Sequence, residues 1–131
     1  MPALKPSHPL IEQRVRNRLI EWLEMLVHYE TDPPPFDLNA VLNQWEDWNS
    51  PLHSYSAPTY SESEAKKLLL VANAWEGFCK GTPNTISNER EALGTSEWIT
   101  LVLACQVALS ELRRRGRLPE EIEVGHGENT V

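Results

Sequence analysis

The sequence predicts an all-α protein: a single-domain bundle of about four helices over residues 1–117, followed by an acidic, mobile tail over residues 118–131. Three observations carry this. Apolar residues recur at intervals of three and four, the spacing that lines one side of a helix turning ~100° per residue. Clusters of proline, glycine and serine punctuate those runs, and no strand-like alternation is long enough to compete with them. A chain of 131 residues can bury a core without a disulfide or a metal to hold it.

Residues 1–9 carry Pro2, Pro6 and Pro9 and read as an extended lead-in, with Pro9 suited to an early helix position where its missing N–H is no loss. The first helix is predicted over residues 10–29. Ile11, Val15, Leu19, Trp22, Leu23, Leu26 and Tyr29 form its buried side, with Asn17, Glu21, Glu24 and His28 opposite. Thr31, Asp32 and the run Pro33, Pro34, Pro35 end it, because proline biases the preceding residue away from helix. Asp37 is placed to cap a short helix that presents Leu38, Val41, Leu42, Trp45 and Trp48 on one face and stops before Pro51. Residues 50–60, rich in serine and proline, cross between helices as a loop.

Ser61 and Glu64 have the capping-box spacing, in which a hydroxyl and a carboxylate satisfy each other's N-terminal donors. They open a third helix that turns Ala65, Leu68, Leu69, Val71, Ala72, Trp75, Phe78 and Cys79 inward and closes at Gly81 and Pro83. One further helical turn is expected over residues 88–93, ending at Gly94. Residues 95–116 hold the helix that the others surround. Thr95 caps it, and Trp98, Leu101, Val102, Cys105, Ala108, Leu109 and Leu112 make its main apolar arc. Arg113, Arg114 and Arg115 suit its terminal carbonyls, and Gly116 supplies a left-handed stop. A second row, Ile99, Leu103 and Val107, predicts neighbours on two sides.

Cys79 and Cys105 both fall in apolar helical patterns and read as buried free thiols of a reducing compartment. No apolar run approaches the ~20 residues that span a bilayer, and the N-terminus lacks a signal-peptide layout. The expectation is a cytoplasmic protein with no membrane contact.

The chemical motifs are missing from the sequence. It has no Gly-rich phosphate loop, no zinc-like cysteine spacing and no serine elbow. His8, His28, His53 and His126 are scattered, and the Glu-x-x-His spacing of Glu123 and His126 falls in the tail, so neither a metal nor another cofactor is expected. Glu24 and His28, one turn apart, read as a solvated pair. Glu76 projects onto the apolar margin of its helix and should find a counter-ion such as Lys80. A small helical enzyme or ligand-binding bundle, the alternative function, would use Glu24, His28 and Glu76.

Charge is more informative. Arg14, Arg16 and Arg18, with Arg113, Arg114, Arg115 and Arg117, make a basic patch if the two helix ends meet. The net charge of −7 works against phosphate binding, which is driven by released counter-ions, so nucleic acid is not the expected partner. Between Arg18 and Lys66 there is no lysine or arginine but nine acids: Glu21, Glu24, Glu30, Asp32, Asp37, Glu46, Asp47, Glu62 and Glu64. That span has a formal charge of −9 against +2 for the remainder. Trp22, Tyr29, Phe36, Trp45, Trp48, Tyr55 and Tyr60 are interleaved with the acids. The plain reading is core and loop aromatics beneath a solvated acidic face. The functional reading is a non-enzymatic interaction module, like an immunity protein or antitoxin in charge, size and fold class. Its acidic face would steer a basic protein partner onto Glu21, Glu24, His28, Trp45, Glu46, Asp47 and Trp48.

Overall fold

A computed structural model describes residues 7–48, 55, 58–82 and 86–123. The lead-in at residues 1–6, most of the loop at 50–60 with His53, Pro83, and the tail beyond residue 123 with His126 lie outside the described residues. Among those described are α1 (His8–Val27), α2 (Leu38–Trp48), α3 (Glu62–Lys80), the short α4 (Glu89–Leu93) and α5 (Ser96–Arg113). The four longer helices pack as the expected all-α bundle. α5 lies between α1 and α3, and α2 packs on α1. Trp75 links α3 back to α2 by donating its indole N–H to the Leu42 carbonyl, 3.1 Å away.

The helix ends follow from their local residues. Ser7 caps α1, so this helix starts two residues earlier than its apolar pattern predicts, with Pro9 in the first turn. Asp37 Oδ1 accepts from the Ala40 N–H at 2.9 Å and opens α2. Both halves of the Ser61–Glu64 capping box form, at 3.1 and 2.9 Å. Thr95 accepts from the Trp98 N–H at 3.1 Å, and Asn88 caps the expected extra turn, α4. Gly116 has φ +77, a backbone conformation that costs side-chain-bearing residues energy and glycine almost none. There the chain reverses and runs back over α1.

Aromatic rings fill the middle of the bundle. Trp22 and Trp45 meet with centroids 5.0 Å apart, joining α1 to α2. Trp98 meets Phe78 of α3 at 5.5 Å and Tyr29 at 6.0 Å. The Phe78–Trp98 contact at one end and the Arg115–Glu64 bond at the other fix α3 and α5 as antiparallel neighbours. Leu19, Leu23, Leu26, Leu68, Leu101 and Leu112 are completely buried between the rings, each contributing ~1.5–3 kcal/mol by the area it removes from water.

The structure corrects three expectations about faces. In the first half of α1, Ile11 is 44% exposed and Val15 half-buried, while Gln13, Arg16 and Asn17 are buried. The cause is the returning chain, which covers the polar side of α1 and gives it hydrogen-bond partners. Leu69, with its neighbour Leu70, and the row Ile99, Leu103 and Val107 are exposed rather than packed. α5 reaches α1 and α3 from the two flanks of its main arc, so the second row is left facing water. Glu76 is exposed instead of marginal, and Ala72 and Trp75 are half-buried.

No helix among the described residues is long and apolar enough to cross a membrane. Cys79 and Cys105 are free thiols, half-buried and buried respectively.

Candidate partner-binding surface

The two arginine clusters do converge, at the end of the bundle where α1 begins and α5 stops. They make no free basic patch, because each guanidinium is already engaged. Arg18 binds Glu21 at 2.7 Å and Glu120 at 2.9 Å. Arg117 binds Glu21 at 2.6 Å, Arg113 binds Glu24 at 2.9 Å, and Arg114 binds Glu111 at 3.2 Å. Arg14 donates to the Glu120 carbonyl at 2.8 Å. Residues 118–123, expected to be mobile, are held here as well. Asn17 both donates to and accepts from the Leu118 backbone at 2.8 and 2.9 Å, and Gln13 donates to the Pro119 and Ile122 carbonyls at 2.8 Å each.

Glu64, counted in the acidic span, is not a surface acid. Its carboxylate takes two hydrogen bonds from Arg16, at 2.8 and 3.0 Å, and two from Arg115, at 2.6 and 3.2 Å, with both Glu64 and Arg16 buried. Arg16 also reaches the carbonyls of Thr59, Leu112 and Gly116. Burial pushes the Glu64 carboxyl upward, but the hydrogen bonds from Arg115, Arg16 and the Ser61 N–H outweigh it and hold the pKa at about 2.

The predicted contact residues therefore separate into three groups. Glu21 and Glu24 lie on α1, both bonded to arginines from beyond the acidic span. His28 is exposed at the end of α1, with Nδ1 2.9 Å from the Glu24 carbonyl oxygen. Trp45 is only 1% exposed, which removes it from any partner's reach, whereas Trp48 is half-buried at the end of α2. Glu46 and Asp47 are exposed on α2, and neither has an ion pair or hydrogen bond among the described residues. The exposed Glu76 of α3 is likewise unpaired among them, without the expected bond to Lys80.

Glu46 borders a cleft of about 170 Å³ between α2 and α3, lined by Asn39, Leu42, Asn43, Glu46, Trp75, Cys79, Thr82 and Ile86. Asn39, Asn43 and Glu46 follow one row of α2 at helical spacing, and Trp75 and Cys79 follow one row of α3. Glu76 stands close by: burial raises the Cys79 thiol pKa, and the charges of Glu46 and Glu76 raise it further. Asn39 clamps the rim, donating to the Ile86 carbonyl at 3.0 Å and accepting from its N–H at 2.8 Å.

The chain matches no family model, no curated protein and no solved structure.

Glu24 and His28 are neighbours at the end of α1, with His28 Nδ1 2.9 Å from the Glu24 carbonyl oxygen and the Glu24 carboxylate bonded to Arg113. No hydrogen bond or ion pair joins either of them to Glu76 among the described residues. No group of three or more His, Cys, Asp or Glu side chains among the described residues is placed to hold a metal.

The Arg16–Glu64 pair escaped sequence reasoning. Its one signal was positional: Arg16 stands three, four and seven residues before Leu19, Ile20 and Leu23, in line with the buried stripe. The α2–α3 cleft left no such signal, since its two walls, residues 39–46 and 75–79, are at least 29 residues apart in sequence.

Proposed function

We propose that this protein is a non-enzymatic interaction module that receives a basic protein partner, in the manner of an immunity protein or antitoxin, on the acidic surface formed by α2 and α3. One observation carries this: Glu46, Asp47 and Glu76 are exposed and unpaired among the described residues, whereas Glu21, Glu24, Glu64 and Glu120 are tied to arginines. Attraction that reaches beyond the surface comes from charge that is not already neutralised within it. The contact set thus moves from α1 to Glu46, Asp47 and Glu76, with Trp48 at its edge. Such a surface speeds encounter with a basic partner over ~8–10 Å, the range set by salt screening.

The test is affinity capture from the native host at low and high salt, with the natural chain and with the triple variant Glu46→Gln/Asp47→Asn/Glu76→Gln. The expected result is one basic protein retained at low salt by the natural chain and lost from the variant. Equal retention by both, or no basic protein at low salt, contradicts it.

A further inference from the structure

Resting on the interaction reading above, we propose that the α2–α3 cleft is a socket for a single arginine side chain of the partner protein. Its size is the first reason. Cavities of about 150 Å³ admit a molecule as large as benzene, so about 170 Å³ accommodates the end of one long side chain and little more.

The lining supplies the chemistry. Leu42 and Ile86 offer apolar wall to an aliphatic stem, which arginine can bury while its head stays polar. Trp75 has already committed its indole N–H to the Leu42 carbonyl, so it contributes ring surface, on which a guanidinium stacks favourably. Asn39 is committed to Ile86, and the Thr82 hydroxyl to the Phe78 carbonyl at 2.9 Å. The polar capacity left over belongs to Glu46 and Asn43, with the Glu76 carboxylate nearby. That is mostly acceptor, and it matches a cationic donor better than an anion or a neutral acceptor. The two oxygens of the Glu46 carboxylate, with the Trp75 ring beside them in the lining, suit the planar guanidinium fork better than the compact ammonium of lysine. The Asn39–Ile86 clamp fixes the rim in advance, so little ordering cost falls on binding.

The full-length, ¹⁵N-labelled protein is titrated with N-acetyl-arginine methylamide, with its lysine counterpart, and with the uncharged citrulline analogue of nearly the same shape. The Trp75 indole N–H and Asn39 side-chain amide resonances should shift saturably with the arginine probe, while the Trp98 indole stays in place. Binding of the citrulline probe, and of the arginine probe to Glu46→Gln, should be weaker by about tenfold or more, with lysine in between. Equal response to arginine and citrulline overturns the socket, as does the absence of any saturable shift in the natural protein. Glu46 is exposed, so its substitution leaves the core untouched, and the citrulline comparison needs no variant at all. Failure here is separable from failure of the functional reading. A salt-dependent basic partner with no arginine response in the cleft removes the socket alone, and an arginine response with no basic partner removes the interaction module alone.

Discussion

Arg16 and Glu64, 48 residues apart, are joined by two hydrogen bonds of 2.8 and 3.0 Å with both side chains out of solvent. Through them α1, the start of α3 and the end of α5 meet at one point. Removing one partner of such a pair leaves the other charge buried with less compensation. Arg16→Met should therefore cost ~3–5 kcal/mol, read as a lowered urea midpoint. Glu64→Gln should cost less, because Gln keeps an acceptor for Arg115 and the Ser61 N–H. Equal midpoints for Arg16→Met and the natural protein would show that the pair contributes no stability.

The same carboxyl gives a pH dependence. Its pKa falls from an ordinary 4.5 to about 2 on folding, so its stabilisation is complete above pH ~4.5 and lost as pH drops toward ~2. At ~1.4 kcal/mol per pH unit this amounts to roughly 3 kcal/mol. Urea unfolding at pH 7, 4 and 2.5 should show a decline that is visibly smaller in Glu64→Gln. A decline of the same size in both proteins contradicts the assignment.

Asn17 pins the returning chain through both atoms of its amide. Asn17→Leu leaves the Leu118 N–H and carbonyl without that partner, at ~1–3 kcal/mol for buried polar groups. A glutamate-specific protease should then cut at Glu120 or Glu121 faster than in the natural protein. Unchanged cleavage would mean that Gln13 and Arg14 suffice to hold the segment.

Two tryptophans three residues apart meet different fates. Trp45 packs against Trp22 in the core, and Trp45→Ala should cost ~3–5 kcal/mol of stability. The half-buried Trp48 should cost distinctly less, by denaturant titration. The reverse order contradicts the packing of α2.

Particular residues show what the sequence made legible. Helices were, because capping depends on neighbours in the chain: Asp37, Ser61, Thr95 and Gly116 all act as their positions predict. Faces were legible only where one stripe dominates. The row Ile99, Leu103 and Val107 has the same spacing as a buried row and is exposed, since nothing local says which rows gain a neighbour. Acidic charge was legible in amount but not in availability. Glu21 and Glu24 are met by Arg117 and Arg113 from the far end of the chain, a pairing that spacing cannot reveal, and the exposed Glu76 comes from outside the acidic span.

The most direct measurement is the association rate of the captured basic partner at two salt concentrations, for two pairs of neutralising variants. Glu46→Gln/Asp47→Asn should slow association and flatten its salt dependence, because those charges are exposed and unpaired among the described residues. Glu21→Gln/Glu24→Gln, on arginine-bound positions, should change it far less. An unchanged rate and salt dependence for the α2 pair, or a larger effect for the α1 pair, would contradict an interaction surface on α2 and α3.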